Sequence, residues 1–427
     1  MTRGVFRMVA FLLAPICLLT GALVLVPRAT PSGHRSVTLA RHRTRGSTAR
    51  KLTRIERQTQ GLRRLHALHP VHVRFLRSAA FSRYVAGVYR KGDPPNVVRI
   101  AREEGVLTGL ISPSVNLSRI LTKGLVSQVV GLYDKYSKRL YIRNLGGALT
   151  LDRWTVAHEF THALQDQHFN LKRVEPDQMH WRLKDSDAQL AEHSVVEGDA
   201  VRIQYAYLYD YYSPAQIRAL QRQQASYHTQ SVPPLIDEQF NFPYVSGLQY
   251  VERLYRFGGY RAVNSAFRHP PHTTYQVMFP ARHIRLVDLR IVRMAGRFRH
   301  WKVIDDDVDG AFGYKQLVEP HVRGGLDIRL AGLWRGDRYL LLRHGHRFAM
   351  FMESVYATKH DARVGAKIIG ASLVGRFHSH GRRFLGGYWY DRRRIASAIH
   401  VSGRRIVLAF STKPITVERL ALSRPVG

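Results

Sequence analysis

The chain has 427 residues, and its apolar fraction of 45% and charged fraction of 23% are ordinary for a globular protein. The charge is unusual, because 66 lysines and arginines outweigh 31 aspartates and glutamates and leave a net charge of +35. Such a surface attracts anionic partners. The basic residues are nevertheless spread along the chain without zinc-finger spacing or an aromatic RNA-binding signature, so no specific nucleic-acid partner is expected.

An apolar run at residues 8–26 follows Arg3 and Arg7 near the N-terminus. Its length approaches the roughly 20 residues that cross a bilayer. Residues 8–19, with the small residues at 20–22 behind them, also resemble a cleavable signal peptide. Either alternative for residues 1–26, signal anchor or signal peptide, predicts an extracytoplasmic location for the rest of the chain. The single Cys17 lies inside this run, which excludes an intramolecular disulfide.

Residues 27–55 are rich in Arg, Ser, Thr and Gly and predict a basic flexible linker. Alternating and helical spacings then predict further elements: a strand at 71–76, helices at 78–91, 95–107 and 116–126, and a β-hairpin at 129–133 and 139–143. Thr150 or Asp152 supplies the N-cap of a helix that ends near Gln167.

A second long helix is predicted at residues 186–209, followed by helices at 215–224 and 244–256. Beyond residue 290 we predict strands at 339–343 and 348–356, a helix at 359–375 and a hairpin at 395–401 and 404–410. The predicted fold class is therefore α+β. A helical domain with a small sheet covers residues 56–290, and a small C-terminal α+β module covers residues 291–427.

The first long helix contains the segment His158-Glu159-Phe160-Thr161-His162. Histidines four residues apart project from one face of a helix, so both imidazoles can reach a single zinc ion. Glu159 lies beside such an ion, where it can take a proton from the water that the zinc activates. The residues around the motif are mostly apolar, which predicts a helix that runs through a core.

A catalytic zinc ion needs a third protein ligand and an open position. The second long helix offers Glu192, His193 and Glu197, of which Glu197 is the preferred candidate. Gly198 beside it lowers helix stability, which favours a place where two helix backbones approach closely. Spacing alone leaves Glu192 and His193 as alternatives.

The run from His158 to Phe169, together with Val196-Glu197-Gly198-Asp199-Ala200, resembles a family of poorly characterised bacterial extracytoplasmic zinc proteins of the gluzincin type. The hairpin around Asp134, the block from Phe242 to Pro271 and Gly336-Asp337-Arg338 extend the resemblance to most of the chain. It implies a zincin-like helical core and one Zn²⁺ ion bound by His158, His162 and Glu197. It also implies Glu159 as the catalytic base and Asp199 as a residue that orients a ligand. By analogy with zincins, the strand at 139–143 would lie at the sheet edge and hold an extended peptide.

The chain departs from this family pattern at Tyr275 and Phe279, which stand where a Glu and a His are expected. The zinc ligands are unaffected by this departure. The donor that would stabilise the oxyanion stays open among four residues: Tyr244, Tyr250, His272 and Tyr275.

The predicted function is zinc-dependent hydrolysis of peptide bonds at the cell envelope, with a protein or peptide as substrate. The alternative is a non-catalytic zinc-containing envelope protein that binds anionic polymers or proteins, in line with the net charge. Residues 8–26 would contact the membrane if they are not cleaved. The run Asp305-Asp306-Asp307-Val308-Asp309-Gly310 matches the start of a calcium loop, but Gln316 stands where the loop needs a Glu, so Ca²⁺ is not expected.

Overall fold

The computed structural model describes residues 40–92, 95–120, 129–144, 153–176, 185–225, 233–282, 284–291, 293–378, 380–384, 387–392, 395–423 and 425–426. The predicted signal segment with Cys17, linker residues 27–39 and the predicted N-cap at Thr150 or Asp152 lie outside these residues. Within the described part, no helix combines the length and apolarity that a bilayer-spanning segment requires.

The fold is α+β, as predicted from the sequence. Its helices are α1 (Ala40–Arg63), α2 (Ser78–Gly92), α3 (Pro95–Leu107), α4 (Leu117–Arg119), α5 (Arg153–Phe169), α6 (Leu171–Val174), α7 (Ser186–Tyr211), α8 (Pro214–Ala225), α9 (Pro234–Arg268), α10 (Thr274–Met278), α11 (Gly310–Val318), α12 (Leu326–Leu333), α13 (Lys359–Phe377) and α14 (Pro414–Ala421). Its strands are β1 (His72–Arg77), β2 (Gly131–Asp134), β3 (Arg139–Asn144), β4 (Arg293–Met294), β5 (Lys302–Asp307), β6 (Trp334–His344), β7 (Arg347–Tyr356), β8 (Arg382–Phe384), β9 (Gly387–Arg392), β10 (Ile395–Ser402), β11 (Arg405–Ser411) and β12 (Pro425–Val426).

Residues 40–55, which the sequence analysis assigned to a flexible linker, belong to helix α1. The linker prediction is wrong for these residues, because one side of the helix is buried. Ile55 packs in a core cluster with Trp154 of α5 and Tyr207 of α7, and Thr59 is fully buried. The buried positions of α1 include Thr48, Thr59 and Arg63, where an ordinary amphipathic helix carries Leu or Val, so the apolar periodicity is too weak to reveal it.

A three-stranded sheet with the order β1-β3-β2 lies beside α5. Strand β3 pairs in parallel with β1 and antiparallel with β2. The expectation that residues 139–143 form an edge strand is therefore wrong, because β3 lies in the middle of the sheet with β1 on one side and β2 on the other. The edge strand beside α5 is β2.

The second sheet is antiparallel and has the order β5-β6-β7-β11-β10-β9-β8. Its central strands are buried on both faces. Consecutive residues of β6 such as Leu340 and Leu341 point to opposite faces and enter two different core clusters, one under α11, α12 and α13 and one under α14. This sheet forms most of the predicted C-terminal module, although Ile100 and Leu107 of α3 share the first of these clusters. The domain boundary at residue 290 stays a prediction.

Helices α7 and α9 cross at very short range. A Cβ atom at Gly198 would overlap the backbone carbonyl of Gly247, and one at Gly247 would overlap that of Ser194. The expectation that Gly198 marks a close approach of two helix backbones is confirmed. Helix α9 is longer than the predicted 244–256 segment and contains a break at Gly259, where φ is 58°.

Carboxylates hold two helix N-termini against the second sheet. Asp307 of β5 accepts hydrogen bonds from the backbone N–H and the hydroxyl of Ser186 at the start of α7, at 2.8 and 2.6 Å. Asp337 of β6 accepts from the backbone N–H groups of Asp309 and Gly310 at the start of α11. A helix N-terminus has unpaired N–H groups and a positive dipole end, so both contacts stabilise these helices.

These carboxylates also crowd one another. Burial, together with the charges of Asp307 and Asp337, raises the pKa of Asp185 to about 7. Burial likewise raises the pKa of Asp337 to about 6. The run that resembled a calcium loop is divided between strand β5 and the start of α11 and does not form a single loop.

Replacement of Gly198 by Ala tests the helix crossing. We expect a loss of about 1–3 kcal/mol in the free energy of unfolding, because the added methyl group forces α7 and α9 apart. Gly87→Ala in α2 is the matched control, since no heavy atom lies within 4 Å of its Cβ position. It should be neutral or stabilise the protein by up to about 1 kcal/mol. Urea unfolding measures the free energy of unfolding of both variants. Equal changes in the two variants would contradict the close contact between α7 and α9.

The crowded carboxylates predict a pH dependence of stability. Asp185 titrates near 4 in the unfolded chain and near 7 in the folded protein, so the folded state binds more protons between these values. Its contribution to stability is therefore present below about pH 4 and is lost as the pH rises through about 7. Asp185→Asn keeps an oxygen that accepts from the Ala188 N–H, and it removes the loss of stability at high pH because asparagine does not ionise.

We expect Asp185→Asn to increase the free energy of unfolding more at pH 8 than at pH 5, as measured by urea unfolding at both pH values. Asp361→Asn provides the control, because Asp361 lies in an exposed capping box of α13. A gain from Asp185→Asn that does not change with pH would contradict the raised pKa.

Candidate metal centre

Three buried side chains from α5 and α7 converge on one point. His158 and His162 project from the same face of α5, and Glu197 approaches them from α7. The Nε2 atoms of the histidines are 2.9 Å apart, and Glu197 Oε2 lies 3.2 Å from that of His158 and 3.5 Å from that of His162. Within the described residues this is the group of histidines and carboxylates that could hold a metal ion.

The spacing of the donor atoms fits a metal ion. Ligand atoms at about 2.0–2.1 Å from a tetrahedral zinc ion lie roughly 3.3 Å from one another, close to the separations seen here. Two imidazole lone pairs 2.9 Å apart repel each other unless a proton or a cation lies between them. Two histidines with one carboxylate are also a donor set used by catalytic zinc sites.

His162 is oriented by a buried chain of hydrogen bonds. Its Nδ1 lies 3.0 Å from Gln165 Oε1, while the Gln165 amide donates to Asp199 at 2.9 Å. Asp199 in turn accepts from Arg63 of α1 at 2.7 Å, and both side chains are fully buried. Because the Gln165 oxygen must accept, His162 Nδ1 donates and Nε2 keeps its lone pair for a metal ion. Asp199 thus acts on His162 through Gln165.

Glu197 has two further partners. The Tyr244 hydroxyl hydrogen-bonds its carboxylate, and His193 Nε2 lies 3.6 Å from its Oε1. His193 is held on its other side by Glu175, 2.6 Å from Nδ1. These contacts fix the direction of the Glu197 carboxylate, so its Oε2 faces the two histidines.

Glu159 lies next to the three donors but is turned towards β2. Its Oε2 accepts a hydrogen bond from the Tyr133 N–H at 2.7 Å, and the Tyr133 hydroxyl donates to Asp166 of α5. The other oxygen, Oε1, is buried and has no hydrogen-bond partner among the described residues. A Cβ atom at Gly131 would be only 3.0 Å from Glu159 Cγ, so a glycine at this position leaves room for the carboxylate.

Burial and charge set the pKa values of the cluster. Burial raises the pKa of Glu159 to about 7. For His162, burial lowers the pKa, but the Glu197 carboxylate outweighs it and raises the pKa to about 9. Burial would also raise the pKa of Glu197, yet the neighbouring histidines hold it well below its usual range. The cluster therefore favours a positive charge between Glu197 and His162, whether a proton or a metal ion supplies it.

The two alternative third ligands do not belong to the three-donor group. His193 Nε2 lies 3.6 Å from Glu197 Oε1, and Glu192 pairs with His272 at 3.8 Å. Tyr275 packs against Phe279 and Trp334 in the core cluster of the second sheet. Of the four residues left open as oxyanion donors, Tyr244 is the one whose hydroxyl bonds a residue of the cluster.

Sequence reasoning missed Arg63, Gln165, Glu175 and the Tyr133 N–H group. Gln165 lies three residues after His162 and therefore shares its helix face, a spacing that could have identified it. Arg63 and Glu175 are far from the motif in sequence, and no local pattern relates them to it.

Gln165→Met tests the orientation of His162. Methionine has a similar length but cannot accept from Nδ1, so we expect zinc affinity to fall about 10–100-fold. Competition with a chromophoric chelator measures the dissociation constant. Gln221→Met, on the exposed surface of α8, should leave it unchanged. Unaltered affinity in Gln165→Met would contradict a role for Gln165 in holding the ligand.

The chain matches no family model, no curated protein and no solved structure in the three comparisons made. The resemblance to gluzincin-type proteins therefore stays a prediction. What is established is the buried His158, His162 and Glu197 group that could hold a metal ion.

Proposed function

We propose that the protein is a zinc-dependent metallopeptidase, a hydrolase in which His158, His162 and Glu197 bind one zinc ion. The observation that carries the proposal is the position of Glu159. A buried carboxylate beside a three-donor group, with one oxygen tied to β2 and the other without a hydrogen-bond partner among the described residues, is what a general base requires.

A zinc ion bound there would supply a Lewis acid that acidifies a water molecule and polarises the carbonyl group to be cleaved. Glu159 Oε1 accepts the proton of that water and then delivers it to the leaving amine. The Tyr133 N–H holds Oε2 during both transfers, so the carboxylate keeps its direction. A pKa raised towards neutrality by burial suits a group that both takes up and releases a proton.

Substrate binding is proposed at β2. This edge strand places Gly131 and Tyr133 beside Glu159. An extended peptide that pairs with β2 would bring its backbone next to Glu159 Oε1. Tyr244 is the proposed donor to the oxyanion, since its hydroxyl already reaches the cluster through Glu197.

A non-catalytic zinc protein that binds anionic polymers is the competing proposal, and the net charge of +35 favours it. A structural zinc site usually has four protein ligands and needs no base. Three donors converge here in the described residues, which leaves room for a water ligand and favours the catalytic reading. Action at the cell envelope is part of the proposal, on the basis of the apolar run at residues 8–26.

Glu159→Gln separates metal binding from catalysis. Glutamine fits the same space but cannot accept the proton, so we expect peptide hydrolysis to fall by at least about 100-fold while one zinc ion per chain is retained. His162→Ala should instead lose the metal. Metal analysis of the purified variants and cleavage of a quenched peptide library measure the two effects.

Glu103→Gln is the control, because Glu103 pairs with Arg102 at the surface of α3. It should keep both zinc and activity. Full hydrolysis by the Glu159→Gln protein would refute the proposed mechanism, and a wild-type protein that binds zinc without cleaving any peptide would favour the polymer-binding alternative.

A further inference from the structure

Helix α1 carries a row of arginines on the side that faces away from the core. Arg50, Arg54 and Arg57 are spaced by four and three residues, so their side chains lie on one face of the helix. All three are exposed, and Arg64 extends the row just beyond the helix end. Ile55 lies on the opposite, buried side. The segment predicted as a flexible linker thus presents its charge in a fixed direction.

No carboxylate neutralises this row among the described residues. The acidic residue of α1, Glu56, is half-buried and lies on another side of the helix. None of the ion pairs between described residues includes Arg50, Arg54 or Arg57. The like charges repel one another, and an anionic partner would relieve this repulsion.

A shallow groove of about 520 Å³, largely open to solvent, lies on the same face of α1. Its lining comprises Arg54, Arg57, Gln58 and Gly61 of α1 with Tyr211 of α7. No heavy atom lies within 4 Å of the Cβ position of Gly61, so the space between the two helices stays open. Guanidinium groups bind phosphate oxygens through paired hydrogen bonds, and the groove is wide enough to admit a phosphate group beside Arg54 and Arg57.

The position of α1 in the chain indicates which phosphate it meets. Residues 27–39 separate α1 from the apolar run at residues 8–26, and a segment of that length spans at most about 45 Å. With the apolar run in a bilayer, the arginine row stays within reach of the lipid headgroups. A basic helix face near a hydrophobic anchor is the arrangement by which proteins contact anionic membrane surfaces.

We propose that Arg50, Arg54 and Arg57 bind the phosphate groups of anionic phospholipids and hold the folded chain against a membrane surface. The interaction is independent of the proposed peptidase activity, because the row shares no residue with the metal centre. It would place the enzyme at the membrane through two contacts, one hydrophobic and one electrostatic.

The test is flotation of the full-length protein with vesicles of phosphatidylcholine alone and with vesicles that also contain phosphatidylglycerol. The apolar run contributes to binding in both cases, so the ratio of the two partition coefficients reports the electrostatic contribution, and its change between variants reports the share of the arginine row. We expect a preference for the anionic vesicles that weakens as salt screens the charges. Arg50→Gln/Arg54→Gln/Arg57→Gln should reduce this preference about 100-fold, at roughly five-fold for each arginine.

Two further variants distinguish the effect of the arginine row from an effect of net charge, and a melting experiment excludes misfolding. The corresponding triple lysine variant keeps the charge and should retain most of the preference. Arg285→Gln/Arg293→Gln/Arg297→Gln removes the same charge from exposed positions elsewhere and should also retain it. Thermal melting checks that each variant is folded.

Three results would overturn the proposal. The first is an undiminished preference in the glutamine variant, and the second is an equal loss in the distant control. The third is tight binding of double-stranded DNA by the same arginines without any preference for phosphatidylglycerol, which would assign the row to nucleic acid.

Discussion

Glu197 Oε2 forms a triangle with the Nε2 atoms of His158 and His162, at 3.2 and 3.5 Å, in a region that water barely reaches. Burial of ionisable groups is costly unless each finds a partner. This requirement explains why polar groups of α1, α5, α7, α9 and β2 meet here, although the surrounding residues of α5 and α7 are largely apolar. The same requirement makes the site a natural place for a divalent cation, which satisfies three donors at once.

The helices reach this arrangement through very close packing. Gly198 follows Glu197 directly, and its missing side chain lets α9 approach until the backbones of Gly198 and Gly247 touch. The approach brings Tyr244 of α9 to Glu197. On the other side, the hairpin of β2 and β3 is tied to α5 by Tyr133, whose N–H and hydroxyl bond Glu159 and Asp166. The proposed ligand Glu197 and the proposed base Glu159 are thereby each held in place by a contact with another element, α9 for Glu197 and β2 for Glu159.

The charge of the protein has different consequences in different places. Inside, Arg63 is fully buried and paired with Asp199, where it supports the candidate metal centre. About two to four helical turns earlier, Arg50, Arg54 and Arg57 of the same helix face outward without a carboxylate partner among the described residues. Helix α1 therefore connects the proposed membrane contact to the proposed active site through a single rigid element, although the two rely on opposite faces of it.

The sequence by itself determined the α+β class, most element positions and the pairing of His158 with His162, because helical spacing puts the two histidines on one face of α5. For the third donor it left Glu192, His193 and Glu197 open, and the tertiary structure brings Glu197 to the two histidines. The sequence did not determine which strand forms the sheet edge, since pairing between β1 and β3 joins segments more than 60 residues apart. Nor did it reveal helix α1 or the partners Arg63 and Glu175. Their roles arise from contacts between distant segments, and only the tertiary structure decides which buried charge meets which partner.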